Sequence, residues 1–506
     1  MIYPYSKDRI FCRALKLFSF AKVMKTPLLL RRNYSDGEYS CKAKLMLLLV
    51  LRSRITAIIL VFIVACCFSR IYAEEAVIKP PEEKVRLITI SEGIGIVLKD
   101  SRILKVSIFD RDIASQDSFI ARSALLPQIN ASVNENFLNH QPASNLGSQS
   151  VKTSGKQSLS YGFDVYQTLF DFGKSLSDYK ASMELVNVSK ANVEAVRKLA
   201  VLEFIAGYFD VLEAEKMIMV AEKEVESLTA YLNDIGHLYE QGAAIKNDLL
   251  PARVKLADAK QKLIAARNAR AILNARLNNI LAMPLQEKTR VQDIDMETPH
   301  IPGMEDSWKT AQSQRPEIKV INDRIKASSL NEKARMVENY PKLFADSGYT
   351  YTQNKFQVHQ DNLFLNLGAK ANLFDGGATK ATLLKERFRQ KQLLEQKDKL
   401  IEDIKFEIEN SYFALKDATE KTLVSKEALA QAEENVRVNR IKYSEGSVTP
   451  TDVLEAITLQ TNAQTNYYNA DYEVKRSYAK LMYSMGIDLA LIYDTMKRGE
   501  DEPKRQ

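Results

Sequence analysis

Residues 159 to 173, LSYGFDVYQTLFDFG, put Leu159, Tyr161, Phe163, Val165 and Leu169 on one side of an extended chain, a period of two that belongs to a strand. Its closing Leu169-Phe170-Asp171-Phe172-Gly173 returns 204 residues later as Leu373-Phe374-Asp375-Gly376-Gly377. Further out, in the same register, Tyr208-Phe209-Asp210-Val211-Leu212 falls on Tyr412-Phe413-Ala414-Leu415-Lys416. Tyr239, Gly242 and Asp248-Leu249-Leu250 fall on Tyr443, Gly446 and Asp452-Val453-Leu454. One unbroken register over that distance means two copies of a single structural unit.

Strands of period two are expected at 128–138, 159–170, 343–352 and 363–374, making two hairpins. Each is longer than the roughly 5–6 residues usual in globular sheets and matches the roughly 9–11 of a membrane-crossing strand. Leu363, Leu365, Leu367, Ala369, Ala371 and Leu373 share one face, while Asn130, Ser132, Asn134 and Asn136 typify the other. Such alternation suits lipid on one side and water on the other. A soluble sandwich with one buried face would alternate in the same way.

Each hairpin leads into a proline-free run, 174–241 and 378–445, interrupted only by Gly207 and Gly236. Apolar residues recur at threes and fours, as in Val196, Leu199, Leu202, Ile205 and Phe209. At about 1.5 Å per residue each helix would reach roughly 100 Å, a length for a coiled coil and beyond any single globular core. Return helices are expected at 248–281 and 452–485, and lead-in helices at 88–123 and 307–339. The domains are therefore an N-terminal extension and signal peptide (1–73), a first repeat (74–283), a proline-containing connector (284–306), a second repeat (307–487) and a polar C-terminal tail (488–506). That tail is highly charged and expected to be disordered from 497.

The composition, 45% hydrophobic and 27% charged, is that of a folded protein. The formal charge of +7 does not indicate a nucleic-acid partner: 13 of 71 Lys/Arg and 3 of 64 Asp/Glu lie in the first 73 residues, leaving 58 against 61 beyond. Residues 55–69, ITAIILVFIVACCFS, follow Arg52 and Arg54 as in a secretory signal and are short of the ~20 needed for a spanning helix. Cleavage after Ala73 suits ordinary signal peptidase. Ile63-Val64-Ala65-Cys66 also resembles a lipobox that would lipidate Cys66, although Cys66 and Cys67 equally extend the apolar signal core. Met24 and Met46 are alternative starts. Since Cys12, Cys41, Cys66 and Cys67 are the only cysteines, the mature chain has essentially no thiols, in keeping with export to an oxidising compartment.

Nothing in the sequence assembles an enzyme, and neither cofactor nor metal is called for. His140, His237, His300 and His359 are isolated, and no metalloprotease, nucleophile-elbow or P-loop pattern appears. Asp171-Phe172-Gly173 spells a kinase motif but ends an amphipathic strand with none of its companions.

The chain resembles the TolC family of outer-membrane efflux proteins over nearly all of residues 85–487. The resemblance rests on Leu126-Pro127-Gln128 and Tyr340-Pro341-Lys342 opening the hairpins and on the two Leu-Phe-Asp motifs closing them. Tyr208-Phe209-Asp210-Val211-Leu212 and Tyr443-Ser444-Glu445-Gly446-Ser447-Val448-Thr449-Pro450-Thr451-Asp452-Val453-Leu454 complete it. It implies an α+β membrane protein that forms homotrimers, with four strands per chain in one twelve-stranded barrel and an α-helical tunnel across the periplasm of a Gram-negative cell. It implies an exit duct served by a periplasmic adaptor and an inner-membrane ABC or proton-driven transporter, in a tripartite pump or a type I secretion system. The family's tip gate maps onto Tyr443, Asp248 and the neighbouring Asn247, and its acidic selectivity ring onto Asp452 and Glu455. Val448 replaces the arginine of a second gate link. Read from the residues alone, Asp452 is equally a helix-start cap after Thr449-Pro450. A surface adhesive coiled coil with a small barrel anchor is the competing function, and exact duplication argues against it, because an anchor is needed once. Residues 139–158 and 353–362 are expected as extracellular loops in contact with the outside of the outer membrane.

Overall fold

The computed structural model describes residues 86–242, 244–294 and 301–500. The segment expected to be a signal peptide, Cys66 and the end of the tail lie outside them. A short strand β1 (Arg86–Ile88) precedes α1 (Ile90–Asp100) and α2 (Arg102–Ser123). The sequence suggests one helix over 88–123. The chain instead breaks at Ser101, whose N–H still closes the first helix on Val97 O while its own φ and ψ leave the helical region.

Strands β2 (Gln128–Phe137), β3 (Ala143–Leu146), β4 (Gln149–Lys152) and β5 (Gln157–Phe170) follow, then α3 (Lys174–Glu240), α4 (Lys246–Ile280) and β6 (Thr289–Val291). The second half runs α5 (Met304–Gln314), α6 (Pro316–Met336), β7 (Lys342–Thr352), β8 (Asp361–Lys370), α7 (Ala378–Ser444), α8 (Pro450–Ser484) and α9 (Leu489–Glu500). The duplication is visible in the lengths: α3 and α7 have 67 residues each, α4 and α8 have 35. It is visible in the backbone as well. Left-handed residues Phe172, Gly173, Gly242 and Ala282 stand 204 positions before Gly376, Gly377, Gly446 and Gly486.

The four long strands form one antiparallel sheet in the order β2-β5-β7-β8. Its register places Ile129, Val165, Ser347 and Leu365 in one row and Asn130, Asp164, Gly348 and Phe364 in the next. Thus Ile129, Val133, Phe163, Leu363, Leu365 and Leu367 share one open face, with Leu363 79% exposed. Tyr161 stacks on Tyr351 (4.9 Å) and Phe163 on Tyr349 (6.2 Å) across it. An apolar face this exposed on strands this long matches lipid contact. No helix among the described residues is long and apolar enough to cross a membrane.

Two strand expectations change. β8 stops at Lys370, not 374, because its partner β7 begins at Lys342, opposite Lys370, and leaves nothing further to pair with. The loop expected at 139–158 contains the hairpin β3–β4, with Leu146 opposite Gln149 across the two-residue turn Gly147-Ser148 and Gly147 at φ +63°. Glycine at the first turn position is what such a hairpin requires.

Below the sheet the helices pack around the middle of α3, where Phe204, Ile205, Tyr208 and Phe209 are fully buried. The Tyr208 hydroxyl, held by Ile88 O (3.2 Å) and Gln292 O (2.6 Å), ties this core to the parallel pair β1–β6. That pair gives the connector a structured centre. The lead-in over 307–339 breaks at Arg315, a buried guanidinium that pairs with Glu407 and lies 5.3 Å over the Tyr483 ring. The stretch read as a polar tail opens instead with α9, whose Leu489 and Tyr493 are buried in the main core. Charge beyond 494 hid two anchoring apolar residues.

Candidate functional site: the helix-hairpin tips

Both long helices end on the same device. Gly242 and Gly446, at φ +76 and +72°, turn the chain, and their N–H groups bond to Tyr239 O and Tyr443 O at 3.0 Å each. Only glycine adopts that backbone without strain.

The return helices start differently. On α8 a reciprocal capping box forms: Thr449 Oγ1 accepts from the Asp452 N–H (3.4 Å), and Asp452 Oδ2 accepts from the Thr449 N–H (2.7 Å). The Thr449 hydroxyl also donates to Asp452 Oδ2 at 2.7 Å. These bonds from Thr449 hold the Asp452 carboxyl below its ordinary value of 3.8. On α4, Ile245 stands where Thr449 stands, so Asp248 Oδ2 accepts only the Ile245 N–H, at 3.2 Å. The capping role weighed for Asp452 is therefore present, and its side chain is also exposed.

A second hydrophobic cluster joins the two hairpins here, drawing Leu228, Tyr231 and Ile235 from α3, Leu249, Ala252 and Leu256 from α4, and Val453, Leu454 and Ile457 from α8. Tyr443 is half-buried against it, its ring 6.0 Å from Tyr231. Burial pushes the Tyr443 hydroxyl pKa up, and the charges of Asp248 and Asp234 push it further. Burial raises Tyr231 likewise, followed by Tyr443, Asp248 and Asp452. Tyr443, Asp248 and Asp452 are thus brought around one buried tyrosine, while Asn247 and Glu455 are exposed at the helix starts. No hydrogen bond links Tyr443 to Asp248 within the chain. At the tips, the Tyr231 hydroxyl donates from one hairpin to Pro450 O of the other. Sequence reasoning missed Tyr231, because its place 204 residues on is Asn435 and the repeat gave no signal.

Membrane-length strands continued by helical hairpins about 100 Å long, with acidic turns at the far end, define a membrane-anchored conduit. The chain belongs to the outer membrane efflux protein family, which matches residues 94–283 and 308–487. It is similar to outer membrane protein TolC of Salmonella enteritidis, 20% identical over 78% of this chain and 82% of that one. With TolC of Vibrio cholerae serotype O1 it is 22% identical over 76% of this chain and 88% of the relative. Among solved structures, the CmeC outer membrane channel of Campylobacter jejuni shares the fold at a TM-score of 0.71 and 16% identity, covering 81% of this chain and 89% of that one. The protein is an outer membrane efflux channel of a Gram-negative bacterium, its strands in the membrane and its helices in the periplasm.

Proposed function

We propose that three copies close into one passive duct, without catalysis of its own, that takes cargo from a periplasmic adaptor and an inner-membrane ABC or proton-driven transporter. The observation behind this is the sheet itself, in which β2 and β8 are end strands with unpaired outer edges. Open edges are not tolerated in lipid, and four strands cannot close on themselves. Pairing β2 of one protomer with β8 of the next satisfies every edge and gives three times four strands. The tip forms the periplasmic gate around Tyr443, Asp248 and Asn247, and three copies of Asp452 and Glu455 set a preference for cations beside it.

All four cysteines lie at or before position 67, so with Cys66 and Cys67 replaced by serine, cysteine pairs placed on β2 and β8 form a clean test. Oxidation should yield a covalent trimer, and that trimer should conduct in planar bilayers. A chain that remains monomeric in detergent, or a trimer with no conductance, defeats the reading and favours the adhesive alternative.

A further inference from the structure

Between Asp452 and Glu473 one face of α8 stays open: its exposed positions are Glu455, Leu459, Asn462, Asn466 and Asn469. Alternating steps of three and four keep them on a single stripe. The stripe begins with the two carboxylates assigned to cation preference and runs away from the tip. Along it, α7 and α8 part over a groove of about 1290 Å³, to which α3 contributes Glu213 at the far end.

The internal repeat supplies the comparison. In α3 and α4, 204 positions earlier, Glu224 stands for Ala428, Leu228 for Ala432, Tyr231 for Asn435 and Lys262 for Asn466. In the first repeat these side chains are spent on packing: Leu228 and Tyr231 are buried, and Glu224, also buried, takes Lys262 at 2.9 Å. The second repeat has smaller, uncharged residues at all four places. Small residues at such positions forfeit contacts, and one copy alone gives them up.

What lines the groove suits a polypeptide backbone. Ala428, Ala432, Ala463 and Ala470 give it low walls. The side-chain amides of Gln431, Asn462, Asn466 and Asn469 are without hydrogen-bond partners among the described residues, and each both donates and accepts, as a peptide group does. From Leu459 to Arg476, at about 1.5 Å per residue, the groove runs roughly 26 Å, the reach of about seven or eight extended residues. Its volume exceeds the roughly 300–1,000 Å³ of a small-molecule pocket. At the far end Lys421 is paired with Asp417 (2.6 Å) and Arg476 with Glu213 and Glu473. Glu420 has no ion-pair partner among the described residues, so the rim is negative.

We propose that this groove is a cargo track in the wall of the duct, which holds an extended polypeptide segment without net negative charge as it passes. The inference rests on the duct reading, which turns the Asp452 face of α8 toward the axis. The test uses the assembled trimer in detergent and two dye-labelled, unstructured peptides long enough to fill the groove, one of glycine, serine and lysine, the other with glutamate for lysine. Fluorescence anisotropy reads their binding. Conductance of the same preparations in planar bilayers, and its block by tetrabutylammonium as a small-cation probe, are measured alongside.

Two double variants copy the first repeat into the groove, Ala432→Leu with Asn435→Tyr and, separately, Ala428→Glu with Asn466→Lys. Each should raise the Kd of the lysine peptide by at least about tenfold and leave the tetrabutylammonium block unchanged. The glutamate peptide should bind the unaltered trimer more weakly than the lysine peptide does. The proposal is overturned if the unaltered trimer binds neither peptide or both alike, or if filling leaves the lysine peptide's affinity unchanged in a conducting trimer, as when a neighbouring protomer covers the groove. Loss of the tetrabutylammonium block together with peptide binding makes the groove a small-cation site and overturns it too. A trimer that does not conduct removes the duct reading first, and the track with it.

Discussion

Ala282 and Gly486 hold the same place in the two repeats, at φ 56 and 76°, yet substitution should act on them in opposite directions. A Cβ on Gly486 would lie 2.7 Å from the backbone carbon of Gln314. Left-handed strain for a residue with a Cβ is about 1–2 kcal/mol, so Gly486→Ala should lose at least about 2 kcal/mol once the clash is added. Ala282→Gly relieves the strain but costs about 0.5–1 kcal/mol of backbone entropy, so it should range from neutral to a gain of about 1.5 kcal/mol. Thermal unfolding of purified protein checks both, and a stabilised Gly486→Ala would contradict the geometry. Thr449→Val should weaken the α8 start and let the Asp452 pKa rise toward 3.8. Because the carboxyl is depressed in the folded state, its contribution is complete above 3.8 and is lost as pH falls through the lowered value. The gap in stability between wild type and Thr449→Val should therefore hold at pH 7 and narrow below pH ~4. A gap that widens on acidification would refute it. At this scale the sequence revealed the glycine turns and the Thr449-Asp452 cap. It hid Phe172 and Ala282, because a side chain can occupy a left-handed backbone once surrounding packing repays the strain.

Among the helices, α3, α4, α7 and α8 meet a second time at the tips, in the cluster that holds Tyr231. Tyr231→Phe removes its bond to Pro450 O, a net loss of about 0.5–1.5 kcal/mol for a neutral pair. This should raise resting conductance by up to roughly tenfold if the closed state depends on the hairpins staying together. Tyr443→Phe combined with Asp248→Ala should raise it as well, and unchanged single-channel current in an assembled trimer would place the gate elsewhere. Asp452→Ala with Glu455→Ala should lower cation preference in reversal-potential measurements. The hairpins themselves were legible from periodicity and duplication. Their mutual packing was not, because Tyr231 has no counterpart at Asn435 and a buried tyrosine on a long amphipathic helix looks like any other.

For the whole molecule, cysteines at Ser148, in the β3–β4 turn, and at Gln357, in the β7–β8 loop, should react with an impermeant maleimide on intact cells. Protection of both would invert the orientation. What the sequence by itself determined was the duplication, the four long strands, both helix pairs to within two residues and the membrane-facing row. These follow from local periodicity and from a register that repeats over 204 positions, information written along the chain. Tertiary structure alone decided where the pattern is broken or overruled: at Ser101 and Arg315, at the foot of β8, in the β1–β6 pair inside the connector, and in the docking of α9. Most of these depend on a partner far away in sequence, such as Glu407 for Arg315 or Thr289 for Arg86. A buried ion pair or a three-residue ladder is too short a signal to read until folding brings its two halves together.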